Sequence, residues 1–314
     1  MIHPIPSGTR DVLPDEMREL RAILDALGRV FSAEGYGEVA TPSLEHESVL
    51  ARGGAGGPLP AYRVVDDHGA VLALRSDMTV PIARVVATRY ANAEPPLRFC
   101  YFANAFRSVR PHRGQQREFL QAGVELVGAP GAAGTAEVLR VLCAALDATG
   151  LQRYRIGLGD ASLYPGLLAE AGVPPEAHEA ILHELSTRDF VGLERRLREL
   201  SISSEDRERL LGVPQARGGE EVLGEHAAQL REVLELLPGD VRGRVIFDLG
   251  LVRDLSYYTG PVFEVYDPAL GQPIGGGGRY DDLLGRFGRP LPAVGFALTV
   301  DSLHVALTGE ERLA

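Results

Sequence analysis

The arrangement of hydrophobic positions changes along the chain and separates helical from strand-like stretches. Apolar residues recur at helical spacing within 15–31, 82–90 and 136–146, which predicts amphipathic helices in these places. Runs typical of β-strands occupy 97–106 and 117–127, on either side of a polar, arginine-rich loop. The first half of the chain is therefore expected to combine helices with paired strands.

Shorter strand-like runs occur in further places. Residues 38–44 have a strand pattern interrupted by Pro42, residues 64–75 predict a hairpin that turns around Gly69, and residues 154–159 predict a short strand. Proline and glycine mark the points where such runs stop or turn. We therefore expect several short strands beside the two long ones.

Residues 161–237 differ from the rest because they are rich in leucine, glutamate and arginine. Helical spacing recurs there at 176–184, 193–200 and 221–236. Short strand-like runs return after Gly239. An all-helical stretch between strand-rich stretches indicates an insertion. We expect a core domain formed by residues 1–160 and 238–314, with residues 161–237 as a helical insertion.

The overall composition limits the classes of protein to which the chain can belong. With 314 residues, 45% of them hydrophobic and 24% charged, it is typical of a soluble globular protein. No run approaches the length of a membrane span, and the start lacks the basic and apolar regions of a secretion signal. Cys100 and Cys143 form no CxxC pair, so we expect reduced thiols in a cytoplasmic protein.

All 32 basic residues are arginine, so the chain has no lysine. Schiff-base lysine chemistry and a P-loop lysine are therefore excluded. The net charge of -11 weakens a role in tRNA binding, because it does not favour a broad surface that follows phosphates. His178 and His183 lie five residues apart and do not share a helical face, so we expect no zinc site there. Neither a metal ion nor a cofactor is expected elsewhere.

Two segments before residue 80 deserve separate interpretation, namely residues 37–45 and the pair Asp77 and Thr79. Residues 37–45 fit an edge strand that tolerates Pro42. Asp77 and Thr79 are both good helix caps. A carboxylate such as that of Asp77 is equally suited to accept charge-assisted hydrogen bonds from an ammonium group. The residues themselves do not decide whether Asp77 caps a helix or binds an ammonium group.

The strand predicted at 117–127 places several polar side chains on one face. Alternate residues of a strand point the same way, so Arg117, Gln121 and Glu125 share a face. Apolar neighbours such as Phe119 favour a polar pocket. A solvated sheet face would show the same alternation and is the alternative.

Three motifs stand close together near the C-terminus, at 245–260, 275–281 and 292–303. The first ends with the adjacent rings of Tyr257 and Tyr258, which alone would indicate a strand with one ring buried. The second is a glycine run, which alone indicates a tight turn and is weak support for phosphate binding. Their order and spacing carry more information than any one of them.

Together these segments resemble the histidyl-tRNA synthetase family and its paralogues, the ATP phosphoribosyltransferase regulatory subunits. Residues 245–260 and 275–281 are similar to the histidine-binding signatures of the synthetases, and residues 37–45, 106–125 and 292–303 are similar to class II motifs 1, 2 and 3. The resemblance implies an α+β fold with a class II aminoacyl-tRNA synthetase-like antiparallel sheet flanked by helices, a helical insertion and no anticodon-binding domain. It also implies a homodimer that forms through motif 1.

The resemblance further implies a histidine-binding site. The matching residues are Asp77, Thr79, Arg107, Gln121, Glu125, Arg253, Tyr257, Tyr258 and Tyr280. By resemblance, Asp77 and Thr79 hold the ammonium group and Arg253 meets the carboxylate. Gln121 and Glu125 face the ligand, the tyrosines border its ring, and Arg107 matches an arginine on the α-phosphate of ATP.

The positions that serve ATP depart from the family pattern. Ser302 and Gln115 stand where arginines are usual, and Val109 replaces a glutamate. Each lost charged hydrogen bond costs about 1.5–3 kcal/mol, and about 1.4 kcal/mol is a factor of ten in rate. Adenylation should therefore be slower by several orders of magnitude. The first signature also departs, with Asp254 in place of glycine and Ser256 in place of aspartate.

A histidine site beside weakened ATP chemistry favours a non-catalytic regulatory subunit over an enzyme. By resemblance, such a subunit assembles with the short catalytic subunit of ATP phosphoribosyltransferase, supports its activity, and takes part in feedback inhibition by histidine at the first step of histidine biosynthesis. Two alternatives stay open. One is a truncated synthetase paralogue that activates histidine with ATP, and the other is a scaffold with a vestigial site.

Overall fold

The computed structural model describes residues 5–54, 61–108, 116–224, 227–251 and 257–313. The helices are α1 Pro14–Ala33, α2 Glu47–Leu50, α3 Thr79–Thr88, α4 Gly131–Thr149, α5 Leu163–Glu170, α6 Pro175–Ser186, α7 Phe190–Arg198, α8 Ser204–Gly212, α9 Ala228–Leu236, α10 Gly239–Arg242 and α11 Val300–Leu313. The strands are β1 Gly37–Glu38, β2 Leu44–His46, β3 Arg63–Val65, β4 Val71–Leu74, β5 Leu97–Phe106, β6 Glu118–Val127, β7 Arg155–Asp160, β8 Arg217–Gly218, β9 Val245–Asp248, β10 Pro261–Tyr266, β11 Gly275–Arg279 and β12 Ala293–Thr299. Within these ranges, no helix is both long and apolar enough to span a bilayer.

A large sheet organises the molecule. Its strand order is β1-β5-β6-β12-β11-β10-β7-β9-β8, and a second sheet has the order β2-β4-β3. In the large sheet, β1 pairs with β5 and β7 with β9 in parallel, while the other neighbouring strands are antiparallel. The predicted class, a mainly antiparallel sheet flanked by helices, is confirmed.

Most of the long elements match the sequence-based expectations. The helices predicted at 15–31, 82–90 and 136–146 correspond to α1, α3 and α4, and the strands predicted at 97–106, 117–127 and 154–159 correspond to β5, β6 and β7. The predicted hairpin is also confirmed, since β3 and β4 pair antiparallel. Gly69 has a φ of 82° in its turn, a conformation that glycine adopts without strain.

The largest apolar cluster lies on one side of the large sheet, and a second cluster that contains Tyr257 and Tyr280 lies on the other side. Val124 and Leu126 of β6 are fully buried in the core that also contains residues of α1 and α4. Because successive side chains of a strand point to opposite faces, Gln121, Gly123 and Glu125 point away from these helices. The polar face of β6 is thus directed to the other side of the sheet.

The strand predicted at 38–44 is wrong as a single element. The structure forms β1 and β2 instead, and these belong to different sheets. Pro42 lies between them and has no backbone N–H to donate to a ladder. The buried guanidinium group of Arg75 fixes this connection, because it donates to the carbonyl oxygens of Thr41 (2.6 Å) and Asn104 (2.8 Å). The segment that leads to Asp77 is thereby held against β5.

Residues 163–237, called the helical segment below, contain α5 to α9 and the edge strand β8. Their leucines Leu168, Leu193 and Leu230 are fully buried in the same apolar core as α1 and α4. The helical segment therefore packs on the sheet domain. Its separation from residues 1–160 and 238–314 as an insertion stays a prediction.

The helix predicted at 221–236 is wrong in its first half. A 3₁₀ turn covers Glu220–Val222, and α9 begins only at Ala228. Gly224 lies between them, and glycine costs about 1 kcal/mol relative to alanine inside a helix. The Glu221 carboxylate also accepts the Gly219 N–H at 2.7 Å, which stabilises a local turn in place of a helix.

Candidate functional site

Glycines on neighbouring strands form a floor on the sheet face that is opposite α1 and α4. Gly295 on β12 lies opposite Glu125 on β6 and opposite Gly278 on β11. A Cβ atom at Gly295 would lie 1.9 Å from Glu125 Oε2, and one at Gly278 would lie 2.9 Å from Tyr258 Cδ1. Glycine at these positions therefore lets a carboxyl group and an aromatic ring lie directly on the sheet.

The Glu125 carboxyl group is the centre of the site. It is 1% exposed, Thr79 Oγ1 donates to its Oε1 at 2.7 Å, and the Tyr280 hydroxyl group donates to its Oε2. Burial raises the pKa of Glu125 from its usual 4.5 to about 8; the two hydroxyl donors oppose this shift and the nearby Asp77 adds to it. Near neutral pH this carboxyl group therefore holds its proton much of the time.

Asp77 lies close to Glu125 and is half-buried. Its Oδ1 accepts the Val80 N–H at 3.1 Å and its Oδ2 accepts the Ser76 hydroxyl group at 3.3 Å. Burial raises the pKa of Asp77, and these hydrogen bonds and the charge of Arg107 oppose the shift. Asp77 thus accepts a backbone N–H from the first turn of α3, whose N-cap residue is Met78, and its carboxyl group also lies near Glu125.

Tyrosine rings form one wall of the site. Ring centroids are 4.9 Å apart for Tyr257 and Tyr258, and 5.6 Å apart for Tyr257 and Tyr280. Tyr257 and Tyr280 are 2% and 3% exposed, whereas Tyr258 is half-buried. Burial raises the pKa of both buried phenols well above the ordinary value, so these hydroxyl groups stay protonated as hydrogen-bond donors.

Gln121 contributes an unsatisfied acceptor. Its side chain is 6% exposed, and its Oε1 has no hydrogen-bond partner among the residues that the structure describes. A buried acceptor without a donor costs about 1–3 kcal/mol. Such an atom on the same face as Glu125 is suited to a ligand that brings a donor.

The comparisons with known proteins identify the family. A family model described as histidyl-tRNA synthetase matches residues 8–303. Over 99% of its length the chain is 44% identical to an ATP phosphoribosyltransferase regulatory subunit from Symbiobacterium thermophilum, of which it covers 81%. The chain belongs to the family of ATP phosphoribosyltransferase regulatory subunits. Family membership places it among regulatory subunits and not among catalytic ones.

Solved structures agree with this assignment. An ATP phosphoribosyltransferase regulatory subunit/histidyl-tRNA synthetase from Bacillus halodurans C is 33% identical, with a TM-score of 0.90 over 98% of this chain and 84% of that one. A histidine–tRNA ligase subunit from Alicyclobacillus acidocaldarius is 31% identical, with a TM-score of 0.82 over 99% of both chains. This member of the regulatory-subunit family therefore has the histidyl-tRNA synthetase-like fold.

Most residues that the sequence singles out meet in one cluster of this regulatory-subunit chain. Those brought together are Asp77, Thr79, Glu125, Tyr257, Tyr258 and Tyr280, while Gln121 lies on the same face of β6, four residues before Glu125. Arg107 lies at the edge, with its guanidinium carbon 4.9 Å from the centroid of the Phe119 ring. Arg117 is directed to the N-terminal segment, where its Nη1 donates to the Ser7 carbonyl oxygen at 3.1 Å.

Several predicted positions lie outside the described residues. They are Val109, Gln115, Arg253, Asp254 and Ser256. Sequence reasoning also missed Tyr101, which is 1% exposed and lies opposite Gly123. Its hydroxyl group would be 2.5 Å from a Cβ at Gly123. The signal was an aromatic residue in β5 paired with a glycine in β6, which shows only once the register of the two strands is known.

Proposed function

We propose that this chain regulates an ATP phosphoribosyltransferase by assembling with its catalytic subunit and by binding free histidine. The observation that supports histidine is the buried Glu125 carboxyl group, held by Thr79 and Tyr280 beside Asp77. Carboxyl groups lined by tyrosine rings suit a small ligand with an ammonium group and a flat ring that carries N–H donors.

The orientation of the ligand follows from the exposure of the site residues. Asp77, Thr79 and Tyr258 are half-buried, whereas Glu125 and Tyr280 are buried. In the proposal, histidine enters from the half-buried side, leaves its ammonium group at Asp77, and places its imidazole ring against Glu125 and Tyr280. Gln121 Oε1 then gains a donor from the ligand, and Arg253 is assigned to the carboxylate on the resemblance alone.

Feedback inhibition requires that histidine bind two states of the assembly with different affinity. The proposed site has a property that makes such a difference possible, because its residues come from separate elements. Asp77 and Thr79 lie at the start of α3, Glu125 lies on β6, and Tyr280 follows β11. A relative shift of these elements changes the hydrogen bonds that are available to the ligand.

The environment of Ser302 supports a subunit that does not adenylate histidine. Ser302 carries no charge, and the neighbouring Asp301 accepts hydrogen bonds from Arg10 and from the Leu120 N–H (3.3 Å). Adenylation needs positive groups on the ATP phosphates. Ser302 supplies no such group, and the acidic chain with its net charge of -11 favours no tRNA partner.

We also propose a homodimer that forms through the motif 1 region. On the second sheet, Leu44 lies opposite Leu74, and Leu72 lies opposite Val64. Leu44 and Val64 are 42% and 46% exposed. Neighbouring apolar side chains of this exposure suit an interface in which the same patch of two copies meets across a two-fold axis. The buried free thiols of Cys100 and Cys143 accord with a cytoplasmic location.

The test combines binding with activity. Calorimetry should detect histidine binding to the purified chain, and Asp77→Ala and Glu125→Ala should each weaken it, whereas Asp67→Ala, an exposed carboxylate in the β3–β4 turn, should not. Added to a short ATP phosphoribosyltransferase, the chain should raise activity and confer inhibition by histidine. Unchanged affinity in both site variants would remove histidine from this site. Histidine-dependent pyrophosphate exchange by the chain alone would favour the synthetase-like alternative.

A further inference from the structure

A buried carboxylate links the helical segment to the stretch that leads towards the tyrosine wall. Asp248 ends β9 and is 5% exposed. Its Oδ2 accepts hydrogen bonds from Arg217 and, at 3.4 Å, from Arg188 Nη2. Both arginines belong to the helical segment, and their side chains are about half exposed. Among the residues that the structure describes, both arginines that pair with Asp248 therefore come from the helical segment.

The residues after Asp248 are docked on the same segment. The Leu249 N–H donates to the Ala216 carbonyl oxygen at 3.1 Å. A Cβ at Gly250 would lie 2.1 Å from the Pro214 carbonyl oxygen, so the two backbones are in direct contact. Backbone contacts of this kind leave no side chain that could adjust, and a shift of the helical segment must move this stretch with it.

A second contact lies on the other side of the tyrosine pair. Gly260 follows Tyr258 by two residues, and a Cβ there would lie 3.3 Å from Gln229 Oε1 of α9. The Gly260 carbonyl oxygen accepts the Ala161 N–H at 2.9 Å, and the Thr259 N–H donates to the Arg279 carbonyl oxygen at 2.8 Å. The helical segment thus touches the chain both before and after the tyrosines.

Neighbouring residues on β7, β10 and β11 also connect Asp248 to Tyr258 across the sheet. The Leu251 side chain and the Asp248 carbonyl oxygen pack on Gly159 of β7, at 2.9 and 2.6 Å from its Cβ position. Gly159 pairs with Val262 of β10, and Val262 pairs with Gly278 of β11. Tyr258 lies over Gly278. Close contacts therefore run from the backbone of Asp248 to the ring of Tyr258.

The loop that carries Arg188 is held in an unusual conformation. Arg188 has a φ of 56°, a left-handed conformation that is rare for residues other than glycine. Its side chain reaches Asp248 from this loop, which the Glu184–Arg196 ion pair (2.6 Å) also braces. Such a backbone conformation persists only where the surroundings maintain it, so we expect the loop to respond when the Asp248 contact is lost.

We propose that the helical segment is the element whose position is coupled to occupancy of the histidine site, with Asp248 as the positioning residue that links the two. This inference rests on the proposed function. Displacement of the segment separates Asp248 from its arginines and disturbs the support of Tyr258. By thermodynamic reciprocity, whatever holds the segment in place raises the affinity for histidine, and histidine in turn holds the segment.

Calorimetry with histidine tests the link through Asp248→Asn and Arg217→Gln. Each should lower histidine affinity by about fivefold or more, the lower range of typical allosteric coupling. The double variant should bind histidine as tightly as the single variant with the lower affinity, because both substitutions remove the same contact. The control is Glu194→Gln, which breaks the exposed Arg198–Glu194 pair (2.5 Å) within α7 and should leave the affinity unchanged. Wild-type affinity in both folded variants would overturn the coupling and leave the proposed function standing.

Hydrogen exchange on the wild-type chain gives a measurement that is independent of variant stability. The Leu249 amide, which is bonded to Ala216, should exchange at least about fivefold more slowly when histidine is saturating. Unchanged exchange at Leu249, with slower exchange confined to β6 and α3, would contradict the coupling. Absence of histidine binding to the wild-type chain would overturn the proposed function and this inference together.

Discussion

The Tyr280 hydroxyl group donates a hydrogen bond to Glu125 Oε2, although 155 residues separate the two along the chain. Thr79 occupies the other carboxyl oxygen, so both oxygens of Glu125 have donors before any ligand arrives. Burial nevertheless raises the pKa of Glu125 to about 8. Ionisation of the Glu125 carboxyl group is therefore unfavourable until a ligand supplies a compensating charge.

This carboxyl group should make the stability of the free protein depend on pH. Between about pH 4.5 and about pH 8, the folded protein keeps a proton that the unfolded chain has released, so the free energy of unfolding falls as pH rises. Glu125→Gln removes this contribution. Its free energy of unfolding, relative to wild type, should increase between pH 5 and pH 8 by an amount on the order of 1–3 kcal/mol. Urea denaturation at several pH values measures this, and a difference that does not change with pH would contradict the shift.

Asp77→Asn tests whether the negative charge of Asp77, and not only its shape, is needed to bind the ammonium group of histidine. The asparagine oxygen can still accept the Val80 N–H, which Asp77 now accepts at 3.1 Å, but it carries no charge. Histidine affinity should fall by about 10- to 100-fold, as expected for the loss of a charged hydrogen bond. Imidazole lactate, in which a hydroxyl group replaces the ammonium group, should bind wild type and variant alike. Calorimetry with both ligands decides, because an equal loss for the two would assign Asp77 a purely structural role.

The sequence predicts those parts of the site that depend on local periodicity. Alternation along β6 places Gln121 and Glu125 on one face, and the structure confirms this arrangement because the antiparallel partners β5 and β12 keep the strand regular. The signature residues Tyr257 and Tyr280 also meet, as their resemblance to the synthetase family implies. Histidine itself stays a prediction at this site.

Contacts between distant elements could not be predicted in the same way. The bond from Thr79 to Glu125 joins α3 to β6 and depends on where Arg75 anchors the preceding segment. The role of Gly295 is equally hidden, because a glycine within an apolar strand does not reveal which side chain lies above it. The interrupted strand at 38–44 shows the same limit, since Pro42 marks a break but not the sheet to which each half belongs.

Gly295→Ala should weaken histidine binding by displacing the Glu125 carboxyl group that lies over Gly295. The new methyl group would lie 1.9 Å from Glu125 Oε2 and 2.5 Å from the Val124 carbonyl oxygen, so the carboxyl group must leave its donors. We expect a loss of about 1–3 kcal/mol in stability and at least about a tenfold loss of histidine affinity. Gly271→Ala, which has open space around it, is the matched control and should change stability by less than about 0.5 kcal/mol. Thermal unfolding and calorimetry measure both effects, and a Gly295→Ala protein with wild-type affinity would show that Glu125 does not contact the ligand.

Neighbouring valines of β3 offer a sharp test of the dimer. Val64 lies beside Leu72 on the sheet face that also carries Leu44, whereas Val65 points to the opposite face and is 67% exposed. In an isologous interface, Val64→Asp places a carboxylate from each copy against an apolar patch, and desolvating these charges is costly. The variant should therefore be monomeric at concentrations where wild type is dimeric, while Val65→Asp stays dimeric. Sedimentation velocity distinguishes the species. Equal dissociation of both variants, or a monomeric wild type, would contradict a subunit interface on this face. The comparison is decisive because Val64 and Val65 are adjacent and differ mainly in the direction of their side chains, so only an interface on one face affects them differently.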